Sequence, residues 1–90
     1  MNTDNIFYGK DFVSQYKSLP KKIQDIATKK ENIFKDNPFH PSLRIHTLKG
    51  RLSGLMSISI TFNYRIIFQI KKNGDIIFIS VGKHDIYKSL

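Results

Sequence analysis

The chain has 90 residues, 40% of them hydrophobic and seven of them phenylalanine, which suffices for one core but not for two. It contains no cysteine, which excludes disulfides, thiolate metal sites and a cysteine nucleophile, and fits a reducing cytoplasm. Fifteen Lys and Arg against seven Asp and Glu leave a net charge of +8, which points to polyanion partners, either nucleic acid or an acidic protein.

In chain order, Ile6-Phe7-Tyr8 is a short β-prone run closed by Gly9. Phe12, Val13, Tyr16 and Leu19 then recur at helical spacing, with Asp11 favourable in the first turn. Pro20 suits the first turn of a second helix. There Ile23, Ile26, Ala27, Ile33 and Phe34 form one apolar stripe opposite Lys22, Lys29 and Lys35. Asn37-Pro38 ends it, because the residue before a proline is disfavoured in the helical region. Two helices are therefore expected within residues 9–37.

After Pro38 the period changes to two. Leu43, Ile45 and Leu48 alternate with Arg44 and His46. From Leu55 to Phe62, Met56, Ile58, Ile60 and Phe62 fall on one face, and Ser57, Ser59 and Thr61 on the other. Tyr64 to Lys71 is a further strand, and Asn73-Gly74 is the sharpest hairpin signal in the chain. Asp75 to Val81, nearly all apolar, is expected to be a central strand buried on both faces. The reading is one α+β domain over residues 1–90, with order β-α-α-β-β-β. A helical hairpin covers one face of a mainly antiparallel sheet, with at least three antiparallel strands within residues 43–82. The apolar runs are too short to span a membrane, and Met1-Asn2-Thr3-Asp4 lacks a signal-peptide layout, so a cytoplasmic location is expected.

No phosphate-binding glycine loop, HExxH or paired-carboxylate motif is present. The polar residues worth weighing lie in the second half of the chain. Arg44, His46, Lys49 and Arg51 surround Gly50, Arg65 sits inside Tyr64-Arg65-Ile66-Ile67-Phe68, and Lys83-His84-Asp85 follows the last strand. An arginine among Tyr, Ile and Phe needs an acidic partner, a ligand or an open face. A structural pair with Asp85 and a phosphate contact are both open to it. His46 and His84 are the nearby acid–base groups, since histidine titrates near neutrality. His40, between Phe39 and Pro41, reads as loop. The three histidines give no close ligand pair for zinc, so neither metal nor cofactor is expected.

Four segments in series carry a resemblance. Asn37-Pro38-Phe39-His40-Pro41-Ser42-Leu43, His46-Thr47-Leu48-Lys49-Gly50, Tyr64-Arg65-Ile66-Ile67-Phe68 and Val81-Gly82-Lys83-His84-Asp85 together resemble the RelE/ParE superfamily of type II toxin–antitoxin toxins. They are most similar to its RelE/YafQ-like branch. Each segment alone is weakly specific; their order is what makes the likeness specific, and it runs from the first strand to Tyr87. The resemblance implies a metal-independent endoribonuclease that cleaves mRNA, often on the ribosome, with an acidic antitoxin as partner. By position, His46 and His84 match catalytic histidines, Arg65 the phosphate-stabilising arginine, and Tyr87 a C-terminal aromatic that stacks or assists. Arg44, Lys49, Arg51 and Lys83 would contact the RNA backbone.

The sequence also departs from the pattern. Ser59 and Asn63 stand where the YafQ-like pattern has a histidine and an aspartate, and Ser57 and Ser59 where RelE has strand lysines. His84-Asp85-Ile86-Tyr87 is one residue shorter than in relatives. Two other functions therefore stay open: a ParE-like inhibitor of DNA gyrase, and a module that binds antitoxin without cleaving.

Overall fold

The structure, a computed structural model, describes the backbone of residues 1–90 and every side chain except that at position 89. The strands are β1 (Ile6–Tyr8), β2 (His46–Thr47), β3 (Met56–Ser59), β4 (Arg65–Ile70) and β5 (Ile76–Gly82). The helices are α1 (Lys10–Lys17) and α2 (Lys21–Asp36), and 3₁₀ turns occupy Pro41–Leu43, Gly50–Leu52 and His84–Ser89. The sheet order is β1-β5-β4-β3-β2, with β1 parallel to β5 and the other pairs antiparallel. This is the expected α+β arrangement, with the first stretch after the helices paired over only two residues. No helix among the described residues is long and apolar enough to cross a membrane.

The helices pack by the stripes that their spacing predicts. Ile23, Ile26, Ala27, Ile33 and Phe34 of α2 and Phe12 and Tyr16 of α1 all join the core with Ile58, Ile66, Phe68, Phe78 and Val81. Val13 does not; it stays exposed. Pro20 sits just before α2, and its carbonyl accepts from Ile23 and Gln24 at 2.9 and 3.0 Å, so the missing N–H costs nothing there. Phe34, 0% exposed, meets Phe68 and Phe78 edge-on at centroid distances of 5.1 and 5.8 Å. Truncating such a ring costs about 3–5 kcal/mol, a large part of a small domain's stability. On the rim, the Tyr8 hydroxyl donates to Glu31 and ties β1 to α2. Burial, and then that carboxylate, push the phenol's pKa up.

β5 is an interior strand, as its apolar run implies, between β1 and β4. Phe68 faces Phe78 while Ile67 faces Ser80, so Ile79 is the extra residue of a bulge. The β4–β5 connection closes as Lys71 N donates to Asp75 O at 2.7 Å and Gly74 N to Lys71 O at 2.9 Å. Gly74 takes φ 94°, the left-handed position that such a hairpin needs.

Two strand expectations require correction. Leu43 lies in a 3₁₀ turn, and Arg44 follows with φ 47° and ψ 49°, so the alternation there supports pairing only at His46 and Thr47. Pro41 opens that turn, and the His40 ring accepts from Ser42 N at 3.1 Å, a local bond that competes with extension. Phe62 is not on the core face but 78% exposed, because β3 ends at Ser59 and residues 60–63 turn back. The turn is set by Tyr64 O, which accepts from Ile60 N, and by Thr61 Oγ1, which accepts from Asn63 N and Tyr64 N.

Candidate active site

Strand register decides which side chains meet. Ile58, Ile66 and Val81 form a cross-strand row within the core beneath the helices. Side chains alternate along a strand, so the rows on either side point to the opposite face. Those rows are His46–Ser57–Ile67 and Ser59–Arg65–Gly82. His46, Ser57, Ser59 and Arg65 thus lie on the face that the helices leave open.

The C-terminal segment closes the site. β5 ends at Gly82, where a Cβ would stand 2.6 Å from Ile86 Cγ2, so only a glycine lets the 3₁₀ turn His84–Ser89 fold back that closely. Arg51 holds the turn from the other side: its guanidinium donates to Tyr87 O at 2.5 Å and to Leu90 O. The resulting open cleft, about 310 Å³, is lined by His46, Leu48, Lys49, Leu52, Arg65, His84 and Tyr87. Five of the eight candidates from the sequence therefore share one wall. Leu48 and Leu52 add an apolar floor that the charge pattern did not announce.

Arg65 is the central cation. Its Nη1 donates to Ser59 Oγ at 2.7 Å, while its Nε is buried and has no hydrogen-bond partner among the described residues. The ion pairs among the described residues, Lys21–Asp25 at 3.0 Å and Lys35–Glu31 at 3.6 Å, both lie on α2. A structural pair between Arg65 and Asp85 is therefore absent among the described residues. What remains is a half-buried guanidinium with donors to spare, in a form that matches phosphate oxygens.

His46 is held by two groups. Its Nδ1 lies 3.2 Å from Arg44 O, and a carbonyl only accepts, so that nitrogen carries the proton in this contact. The buried Ser57 hydroxyl lies 3.2 Å from Nε2 and 3.4 Å from Nδ1 of the same ring. Ser57 is thus a positioning group that the sequence showed only as a departure from a lysine. His84 stacks obliquely with Tyr87, with ring centroids 5.9 Å apart and planes at 48°.

The remaining candidates lie elsewhere. Arg51 is committed to the C-terminal turn, and Lys83 Nζ sits 5.6 Å from the centroid of the Tyr64 ring. Arg44 lines a separate recess with Lys30, Ser42, Ser59, Ile60, Thr61 and Phe62. Asn63 is exposed in the β3–β4 turn and does not line the cleft.

No protein-family model matches the sequence, and no curated protein matches it. Solved structures do. YafQ from E. coli strain BL21(DE3) superposes with TM-score 0.77 at 15% identity, over 92% of this chain and 96% of that one. A YoeB/ParE toxin from Agrobacterium tumefaciens gives TM-score 0.73 at 17% identity, over 89% and 98%. The E. coli DinJ-YafQ toxin–antitoxin complex gives 0.73 at 15% identity, over 91% and 93%. The chain has the fold of these RelE/ParE-type toxins.

Proposed function

We propose that the chain is the toxin of a toxin–antitoxin pair and acts as an endoribonuclease on mRNA at the ribosome, in the cytoplasm. The observation that carries this reading is the Arg65 guanidinium, half-buried without a counter-charge among the described residues, in a cleft shared with two histidines. In the reaction, one histidine takes the proton of a ribose 2′-hydroxyl, and the oxygen attacks the adjacent phosphorus. The bond to the 5′-oxygen breaks, the other histidine protonates it, and a 2′,3′-cyclic phosphate and a 5′-hydroxyl remain. Arg65 stabilises the charge that gathers on the phosphate oxygens. His46, held by Arg44 O and the Ser57 hydroxyl, and His84 in the same cleft supply this acid–base pair. Lys49 supplies further charge at the wall, and Tyr87 a ring for a base. No step of this scheme calls on a metal or cofactor.

An acidic antitoxin fits the +8 charge, as the toxin–antitoxin complex among the structural neighbours suggests. The experiment is induced expression followed by primer extension on translated messages. Cuts in wild type, and none in the double His46→Ala/His84→Ala variant, are expected. Equal cutting by both would overturn the assignment. Growth arrest with intact messages and trapped gyrase would favour the ParE-like function instead.

A second reading has one specific observation behind it. Ser57 and Ser59 give the cleft no charge of their own, and Ser59 is already spent on Arg65. A chain that binds antitoxin but cuts nothing would show intact messages and no arrest. Ser59→His with Asn63→Asp would then restore cutting only if those two positions were the cause.

A further inference from the structure

The recess beside the cleft has a composition of its own. It is bounded by Lys30 of α2, Arg44 after the first 3₁₀ turn, and Ser59, Thr61 and Phe62 at the end of β3. Neither Lys30 nor Arg44 takes part in an ion pair among the described residues. Lys30 Nζ donates to Ser42 O at 3.3 Å, which fixes the ammonium at the rim. Phe62 presents a ring that is 78% exposed, the largest exposure among the large hydrophobic side chains. Arg44 is the only non-glycine residue with positive φ among the described residues, at 47°, a conformation that a side chain of its shape rarely adopts. Such backbone strain clusters where a side chain must be aimed. Two cations and a bare aromatic ring around about 190 Å³ of space suit a nucleotide: phosphate to the cations, base to the ring.

Ser59 connects the recess with the cleft. Its hydroxyl accepts from Arg65 Nη1 at 2.7 Å, so Arg65 lines one cavity and Ser59 the other. The two cavities thus lie on either side of a single hydrogen bond. A strand whose phosphate met Arg65 would reach the recess by extending a few nucleotides further past Ser59.

We propose that the recess bounded by Lys30, Arg44 and Phe62 is a second nucleotide subsite for single-stranded RNA, holding a phosphate between the cations and stacking one base on Phe62. This rests on the cleft being an RNA site. It adds a length requirement: substrate that reaches beyond the cleft gains affinity, and it does so through a residue remote from the reacting phosphate. The subsite tolerates any base, because every base offers a face to a ring.

The test uses the full chain and 2′-O-methyl oligoribonucleotides, which bind without being cut. A trinucleotide fills the cleft alone, and a hexanucleotide reaches the recess. Phe62→Ala is expected to weaken the hexanucleotide by about tenfold, the scale of one lost base stack, and to leave the trinucleotide unchanged. Arg44→Asn, which keeps the left-handed backbone accessible, is expected to weaken the hexanucleotide and to flatten its salt dependence by about one phosphate's worth. An abasic position scanned along the hexanucleotide should reproduce the Phe62→Ala loss at one place and add nothing in that variant. Thermal melts of both variants that match wild type would confirm that folding is untouched. If Arg65→Ala weakens both oligonucleotides while Phe62→Ala and Arg44→Asn weaken neither, the subsite is overturned and the cleft assignment stands. If wild type binds neither oligonucleotide, both are overturned. If the variants keep RNA affinity but lose an acidic antitoxin, the recess is a protein contact and the proposal fails.

Discussion

Replacing Arg65 by Met is expected to cost activity without costing stability. The substitution keeps an apolar stem of similar length on β4 and removes the guanidinium. In the folded chain, that loses one charge-assisted hydrogen bond, the 2.7 Å contact to Ser59. Hydrogen bonds to charged groups are worth about 1.5–3 kcal/mol. It also removes the buried Nε that has no partner, an orphan donor whose desolvation costs about 1–3 kcal/mol. No ion pair is broken, since none reaches Arg65 among the described residues. The contributions nearly cancel, so the melting temperature should move by no more than about 5 °C for a domain of this size. Cleavage should behave differently. A preorganised donor at a developing negative charge contributes about 10²–10³-fold, and this one has no substitute of equal reach. The assay pairs a thermal melt followed by circular dichroism with single-turnover cleavage of a translated message. A fall of more than 10 °C would mean that Arg65 is a structural residue, and cleavage within about threefold of wild type would mean that it meets no phosphate.

The other predictions concern the groups around Arg65. His46→Ala and His84→Ala should each lower single-turnover cleavage by about 10²–10⁴-fold, and a smaller loss in either would remove it from the acid–base pair. Arg51→Ala releases the main-chain oxygens of Tyr87 and Leu90, so amide exchange in residues 84–89 should rise while the β4–β5 amides stay protected. Unchanged exchange at residues 84–89 would show that Gly82 and Ile86 hold the turn unaided. Association with an acidic antitoxin should slow as salt rises, since the +8 charge steers the encounter, and a salt-independent rate in stopped-flow mixing would deny that steering.

The sequence made the layer architecture legible because two periodicities coincide with burial. The α2 stripe faces the core, with Ala27 and Phe34 buried and Ile23, Ile26 and Ile33 packed against it, and the β-run after Pro38 supplies four of the five strands. The failures fall where local chemistry overrides alternation. Phe62 continues the apolar pattern of β3, but Thr61 caps the turn and throws the ring into solvent. Leu43 is apolar and buried, yet it is seated by a 3₁₀ turn rather than a strand. The parallel pairing of β1 with β5 is invisible to any pattern within either strand, because it joins residues about seventy positions apart in sequence.

The site was legible in its residue types but not in its grouping, and register explains why. His46, Arg65 and His84 come from three separate segments, and they meet because β2, β3 and β4 are consecutive neighbours and the chain turns back at Gly82. A shift of one residue in the β3–β4 register would send Arg65 into the core, where a cation without a partner is untenable, so the burial of Ile66 and Phe68 also orients Arg65. The serines have the converse logic. Ser57 and Ser59, at 0% and 6% exposure, carry no charge, and for that reason they fit beside a guanidinium and an imidazole without competing for either. Ser57 meets His46 and Ser59 meets Arg65, one hydroxyl for each group that the proposed reaction needs held still. A lysine at position 59 would add charge next to Arg65 and repel it. In this chain, Arg65 is the strand cation of the cleft, and Lys49 adds its charge from the segment after β2.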